Sequence, residues 1–110
     1  MGMTDIYRAL GDPTRRKILS MLKQGNRTQK EIVEAFQISQ PAIKKHLKIL
    51  LDEKIISESM SGKYRIYSLN RHTLKSSYNE MLEYIGELLD DQLIRLKDYV
   101  EKGEERDEEH

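Results

Sequence analysis

The chain has 110 residues, 37% hydrophobic and 35% charged, and no cysteine, which excludes disulfides, thiolate metal sites, cysteine nucleophiles and thiol redox sensing together. Its 19 basic and 19 acidic residues cancel overall but not locally: residues 1–75 carry 15 basic and 7 acidic side chains, residues 76–110 carry 4 and 12. A basic segment followed by an acidic one points to a polyanion, with nucleic acid foremost, bound by the first part and avoided by the second.

The length predicts a single domain, over residues 4–102, with an acidic, disordered tail at 103–110. So small and charged a chain buries a modest share of its surface alone, so a partner copy is expected. Apolar runs stop at three or four residues and no signal peptide opens the chain, so the expectation is a cytoplasmic protein without membrane insertion.

Thr4 is placed to cap a short helix through Leu10, with Ile6 and Leu10 on one side, until Gly11 breaks it. Asp12 as N-cap and Pro13 in the first turn start a second helix, which Gly25 closes. Its stripe is Ile18, Leu19 and Leu22, and Arg15, Arg16 and Lys23 lie elsewhere on it. Thr28-Gln29-Lys30-Glu31 is a capping box that leads into Ile32, Val33 and Phe36. Ser39 caps the next helix, with Pro41 in its first turn; it runs to about Glu53 and has Ile43, Leu47, Leu50 and Leu51 as its core stripe. Only Gln37 to Ser39 separate these two helices, the spacing of a helix-turn-helix pair.

Ile56 to Met60 and Tyr64 to Leu69, rich in β-branched and aromatic residues, read as a hairpin around Ser61-Gly62-Lys63. Asn70 then caps one long helix, whose stripe is Tyr78, Met81, Leu82, Ile85, Leu88, Leu89, Leu93, Leu96 and Val100, with Gly86 inside it. The fold expected is therefore mainly α with a small β-hairpin: a winged helix-turn-helix in the order α-α-α-α-β-β-α.

In such a fold the N-terminal turns of the recognition helix meet base edges while other elements hold phosphates. Here those turns begin at Ser39. Pro41, Lys45 and Lys48 oppose the apolar stripe, and Gln40 and Lys44 flank it. Glutamine has the donor and acceptor pair that matches adenine, and lysine donates to the acceptors of guanine, so Gln40, Lys44 and Lys45 are the candidate readers. His46 sits at the edge of the core stripe, suited to packing or a phosphate rather than to a metal. Arg15 and Arg16 either touch phosphate or pair with Asp12 or the acidic tail.

The run Ala9-Leu10-Gly11-Asp12-Pro13-Thr14-Arg15-Arg16-Lys17-Ile18-Leu19, the run Ser39 to Leu50, and the hairpin end Tyr64-Arg65-Ile66-Tyr67-Ser68-Leu69 together resemble the ArsR family of bacterial and archaeal repressors. The resemblance spans roughly residues 5–100, and within the family the chain looks like the metal-independent SdpR-type autorepressors. It implies a DNA-binding repressor whose wing, with Lys63 and Arg65 around Ser61 and Gly62, enters the minor groove or touches phosphates. It also implies a homodimer through the terminal helices, with Ile6, Leu10, Tyr78, Met81, Leu82, Ile85 and Leu89 at the interface, and hence an inverted-repeat operator. The chain departs from the family at Lys44, where Ser or Thr is usual, and at Lys45, where His or Arg is frequent.

Many relatives sense metals through cysteines or through His and carboxylate pairs. This chain has no cysteine, and neither His72 nor His110 has a second histidine at metal-site spacing, so no metal and no cofactor is expected. Control then falls to protein abundance, to a sequestering protein partner as the resemblance suggests, or to a small apolar ligand at the dimer interface. No phosphate-binding glycine loop, nucleophile with a base, or metal triad supports an enzyme. A winged helix used purely for protein interaction would show a neutral or acidic recognition helix, and Lys44, Lys45 and Lys48 argue against that.

Overall fold

The computed structural model describes residues 5–89. Its elements are α1 (Ile6–Leu10), α2 (Pro13–Gln24), β1 (Arg27–Thr28), α3 (Gln29–Glu34), α4 (Gln40–Asp52), β2 (Ile56–Ser61), β3 (Tyr64–Leu69) and α5 (Arg71–Leu88). They fall into two compact units, one ending at Leu74 and the other beginning at Lys75.

Side-chain caps begin every helix. The Asp5 carboxylate accepts from the Arg8 N–H at 2.9 Å, so Asp5 takes the capping role expected of Thr4, which lies outside the described residues. Asp12 accepts from the Arg15 N–H at 3.0 Å, and Pro13 follows it where a missing N–H costs nothing. At Thr28 the capping box is complete: the Glu31 N–H donates to Oγ1 at 3.1 Å and the Thr28 N–H donates back to Glu31 Oε1 at 2.8 Å. These bonds to Thr28 hold the Glu31 carboxyl below its ordinary value. Ser39 and Asn70 cap α4 and α5 through the N–H groups of Ala42 and Thr73, each at 3.2 Å.

The sheet has three strands rather than two, in the order β1-β3-β2 and antiparallel throughout. The extra strand is the pair Arg27–Thr28, set against Tyr67 and Ile66. In the hairpin Ser61 pairs with Tyr64, which leaves Gly62 and Lys63 as a two-residue turn. Gly62 has φ +62°, a backbone region that side-chain-bearing residues rarely adopt.

The first unit's core joins Ile18 and Leu22 of α2, Ile32 of α3, Ile43, Leu47 and Leu50 of α4, and Ile55, Ile56 and Tyr67 of the sheet region. Leu10, Leu19, Leu51 and Leu74 pack against it, partly buried. Ile6, expected at a dimer interface, is 7% exposed and belongs to this same core. The reason is the three-residue step to Ala9, which puts both side chains on the inner face of α1. Ile55 enters the core because α4 ends abruptly. Lys54 turns to φ +60°, its N–H meets the Leu51 carbonyl at 2.9 Å, and the Ile55 N–H meets that of Leu50 at 3.0 Å.

In the second unit, Met81, Leu82 and Ile85 of α5 are half-buried, and Tyr78, Tyr84, Leu88 and Leu89 are exposed. Leu93, Leu96, Val100 and the tail at 103–110 lie outside the described residues. Among the described residues no helix is long and apolar enough to cross a membrane.

Candidate nucleic-acid interface

Burial of Ile43, Leu47 and Leu50 turns the opposite face of α4 to solvent. Ser39, Gln40, Pro41, Lys44, Lys45 and Lys48 are all exposed, as the wheel predicts. They are not equivalent. Lys48 donates to Asp52 one turn later at 3.0 Å, whereas Lys44 and Lys45 form no ion pair among the described residues. The Ser39 hydroxyl is committed to capping, so its free contribution is the backbone of the helix start.

Pairing of β1 with β3 brings the start of α3 beside the wing. A groove of about 320 Å³ lies there, lined by Thr28, Gln29, Lys30, Lys44, Met60, Lys63, Tyr64 and Arg65. Four of the eight are cations and none is a carboxylate, so the groove suits an anion. Across the strands Met60 is paired with Arg65. Lys63 Nζ lies 5.7 Å from the Tyr64 ring centre, and Arg65 Nε lies 3.6 Å from Glu58 Oε2, an exposed contact that leaves its charge open to other partners. Gln40 borders a second recess of about 240 Å³ with Gln29, Lys30, Val33 and Glu34.

Of these groove residues Thr28, Gln29, Lys30, Met60 and Tyr64 were not expected at the interface from the sequence. Their place depends on a two-residue strand that no periodicity announces. The exposure of Met60 and Tyr64, 60% and 52%, marks them as apolar surface at the wing.

The two arginines of α2 lie elsewhere. Arg15 is buried, and its guanidinium donates from Nε to the Ala9 carbonyl at 2.7 Å and from Nη2 to that of Arg8 at 3.1 Å. Its Nη1 lies 3.1 Å from His46 Nδ1. Arg16 is exposed and donates from Nη1 to the Leu10 carbonyl at 2.9 Å. Of the two readings of Arg15, phosphate contact or a partner within the chain, the burial favours the second, with α1 carbonyls as the partners: Arg15 closes the C-terminal end of α1, because a five-residue helix leaves its last carbonyls without partners inside it.

Asp12 lies close by, its Oδ2 3.8 Å from His46 Nδ1. The hydrogen bond from the Arg15 N–H, helped by the Arg15 charge, holds its carboxyl below the usual carboxylate range. Among the described residues no group of three or more His, Cys, Asp or Glu side chains gathers where a metal could sit.

Residues 12–58 match the family model for the bacterial regulatory protein, arsR family. The chain is 45% identical over 84 residues to the transcriptional repressor SdpR of Bacillus subtilis, covering 76% of this chain and 93% of that protein. It is 33% identical over 88 residues to the arsenical resistance operon repressor of Staphylococcus xylosus, covering 80% of this chain and 77% of that one. Among solved structures it resembles an ArsR-like transcriptional regulator from Rhodococcus sp. RHA1, with a TM-score of 0.68 at 26% identity over 86% of this chain and 88% of that one.

Proposed function

Because the chain belongs to the ArsR family of bacterial regulatory proteins, which are DNA-binding transcriptional regulators and not enzymes, we propose that it is a homodimeric repressor of an inverted-repeat operator. The observation that carries this reading is the exposed face of α4, where Lys44 and Lys45 have no carboxylate partner among the described residues and Lys44 borders a groove lined by cations. Gln40 takes an adenine edge and Lys44 and Lys45 take guanine acceptors, while Ser39 and Pro41 set the entry of the helix into the major groove. Lys48, Lys63, Arg65 and Arg16 lie on phosphates or at the minor groove, and Arg15, buried, holds the scaffold.

Two copies joined through α1 and α5, with Leu10, Tyr78, Met81, Leu82, Ile85 and Leu89 between them, set two recognition helices about 34 Å apart, one turn of DNA. The protein acts in the cytoplasm, needs no cofactor and represses its own gene. Its level in the cell, a sequestering protein partner or a small apolar ligand at the dimer interface relieves repression.

Fluorescence anisotropy with the chain's own promoter, against a scrambled duplex and across a salt series, tests this. Promoter-selective binding that weakens with salt and is indifferent to zinc or EDTA is expected. Lys44→Ala with Lys45→Ala abolishes the selectivity and leaves the dimer intact. Retained selectivity in that double variant removes the assignment of α4 as reader.

A further inference from the structure

The DNA-facing side chains of α4 leave one polar group on its other flank unused. His46, half-buried, follows Lys45 directly and so points about 100° away from it around the helix. Its Nδ1 lies 3.1 Å from Arg15 Nη1 and 3.8 Å from Asp12 Oδ2. Arg15 is fixed in turn by the carbonyls of Arg8 and Ala9. Arg15 thus links two helices, binding the last carbonyls of α1 and the imidazole of α4, with the α2 N-cap Asp12 beside the same ring.

A guanidinium only donates, so the Nδ1 facing it is the acceptor, and the neutral ring carries its proton on Nε2. The packing of Ile43, Leu47 and Leu50 decides which face of α4 turns to the core. The Arg15 to His46 bond is directional, and it resists rotation of α4 about its axis.

We propose that Arg15 and His46 position the recognition helix, through a hydrogen bond that exists only while the imidazole is neutral, and thereby set the selectivity for operator DNA. This rests on the DNA-binding reading above and names a means of regulating that same site.

Protonation puts a proton on Nδ1 that faces the guanidinium. The bond is lost, two cations stand at the distance it occupied, and Asp12 becomes the acceptor within reach. The charged groups facing the ring are Arg15 and Asp12, both from α2; α1 offers the carbonyls that anchor Arg15, and the residues one turn away on α4, Ala42 and Leu50, are uncharged. Asp12, held below the usual carboxylate range, keeps its charge across the neutral region. Helix placement therefore follows the protonation state of the ring, through the 3.1 Å contact with Arg15 and the 3.8 Å approach of Asp12.

The test uses the full chain and a duplex that the wild type itself enriches from a random pool, with a scrambled duplex as reference. Affinities are read by anisotropy from about pH 8 down to about pH 5.5. The wild type loses selectivity about tenfold over that range, the equivalent of one hydrogen bond to a charged group. His46→Asn, which keeps an acceptor at the Nδ1 position and does not titrate, stays selective and flat with pH. His46→Leu is about tenfold less selective throughout, with unchanged affinity for the scrambled duplex.

A flat wild-type profile together with a fully selective His46→Leu overturns the positioning role. Should His46→Leu fail to fold, as judged by circular dichroism, the wild type against His46→Asn decides, and equal pH slopes overturn the proposal. A wild type that enriches no duplex overturns the DNA-binding reading itself, which separates the two failures.

Discussion

Lys54 occupies the one backbone position among the described residues where a non-glycine residue has positive φ. It closes α4 with the paired bonds to Leu51 and Leu50 that usually place glycine there, and both Leu50 and Ile55 beside it are buried. A side chain in this region costs roughly 1–2 kcal/mol, part of which glycine returns through its freer unfolded chain. Lys54→Gly is therefore expected to raise stability by about 1 kcal/mol, read as a higher urea midpoint at unchanged slope. An unmoved midpoint means that the lysine makes a compensating contact.

At this scale the caps were legible. Asp12, Thr28, Ser39 and Asn70 each act on a backbone N–H three residues on, a relation that lies wholly within the local sequence. Arg15 was not, because its fate depends on carbonyls six and seven residues back and on an imidazole 31 residues ahead. One signal was present: a helix ending at Gly11, with two arginines four and five residues later, leaves carbonyls and donors to find one another.

Among the elements, α2, α4 and α5 followed from helical spacing, and the lysines opposite Ile43, Leu47 and Leu50 followed from the same wheel. Strand β1 did not. Two residues carry no alternation, and their pairing with Tyr67 and Ile66 is a contact between distant parts of the chain. Without β1 the groove that joins Lys30 to the wing was invisible, so five of its eight lining residues emerged only in three dimensions.

The wing turn was legible as a turn but came out shorter, because Ser61 stays paired with Tyr64. A side chain at Gly62 meets no atom within 4 Å, so only its φ of +62° resists substitution. Gly62→Ala is expected to cost roughly 1–2 kcal/mol, seen as a lower thermal midpoint with unchanged far-ultraviolet dichroism. An unchanged midpoint shows that the turn relaxes to another type.

For the whole molecule, charge and exposed apolar surface divide the work. Residues 1–75 hold the basic excess and the candidate interface, and α5 with the turn after it exposes Tyr78, Tyr84, Leu88 and Leu89. Under the dimer reading, Leu89→Glu, at a position 49% exposed, gives a monomer by sedimentation and loses selective DNA binding, while thermal unfolding shifts little at low concentration. A dimer of undiminished affinity moves the interface off α5.

The two residues of β1 have a broader consequence. Thr28 is at once a strand residue paired with Ile66 and the N-cap of α3, and Gln29 just after it accepts from the Tyr67 hydroxyl at 3.2 Å. The hairpin is thus stitched to the first helix of the helix-turn-helix through a segment with no slack. Lengthening a loop cannot retune the distance between wing and recognition helix, and a hairpin transplanted from a relative brings its geometry only if residues 27–29 travel with it.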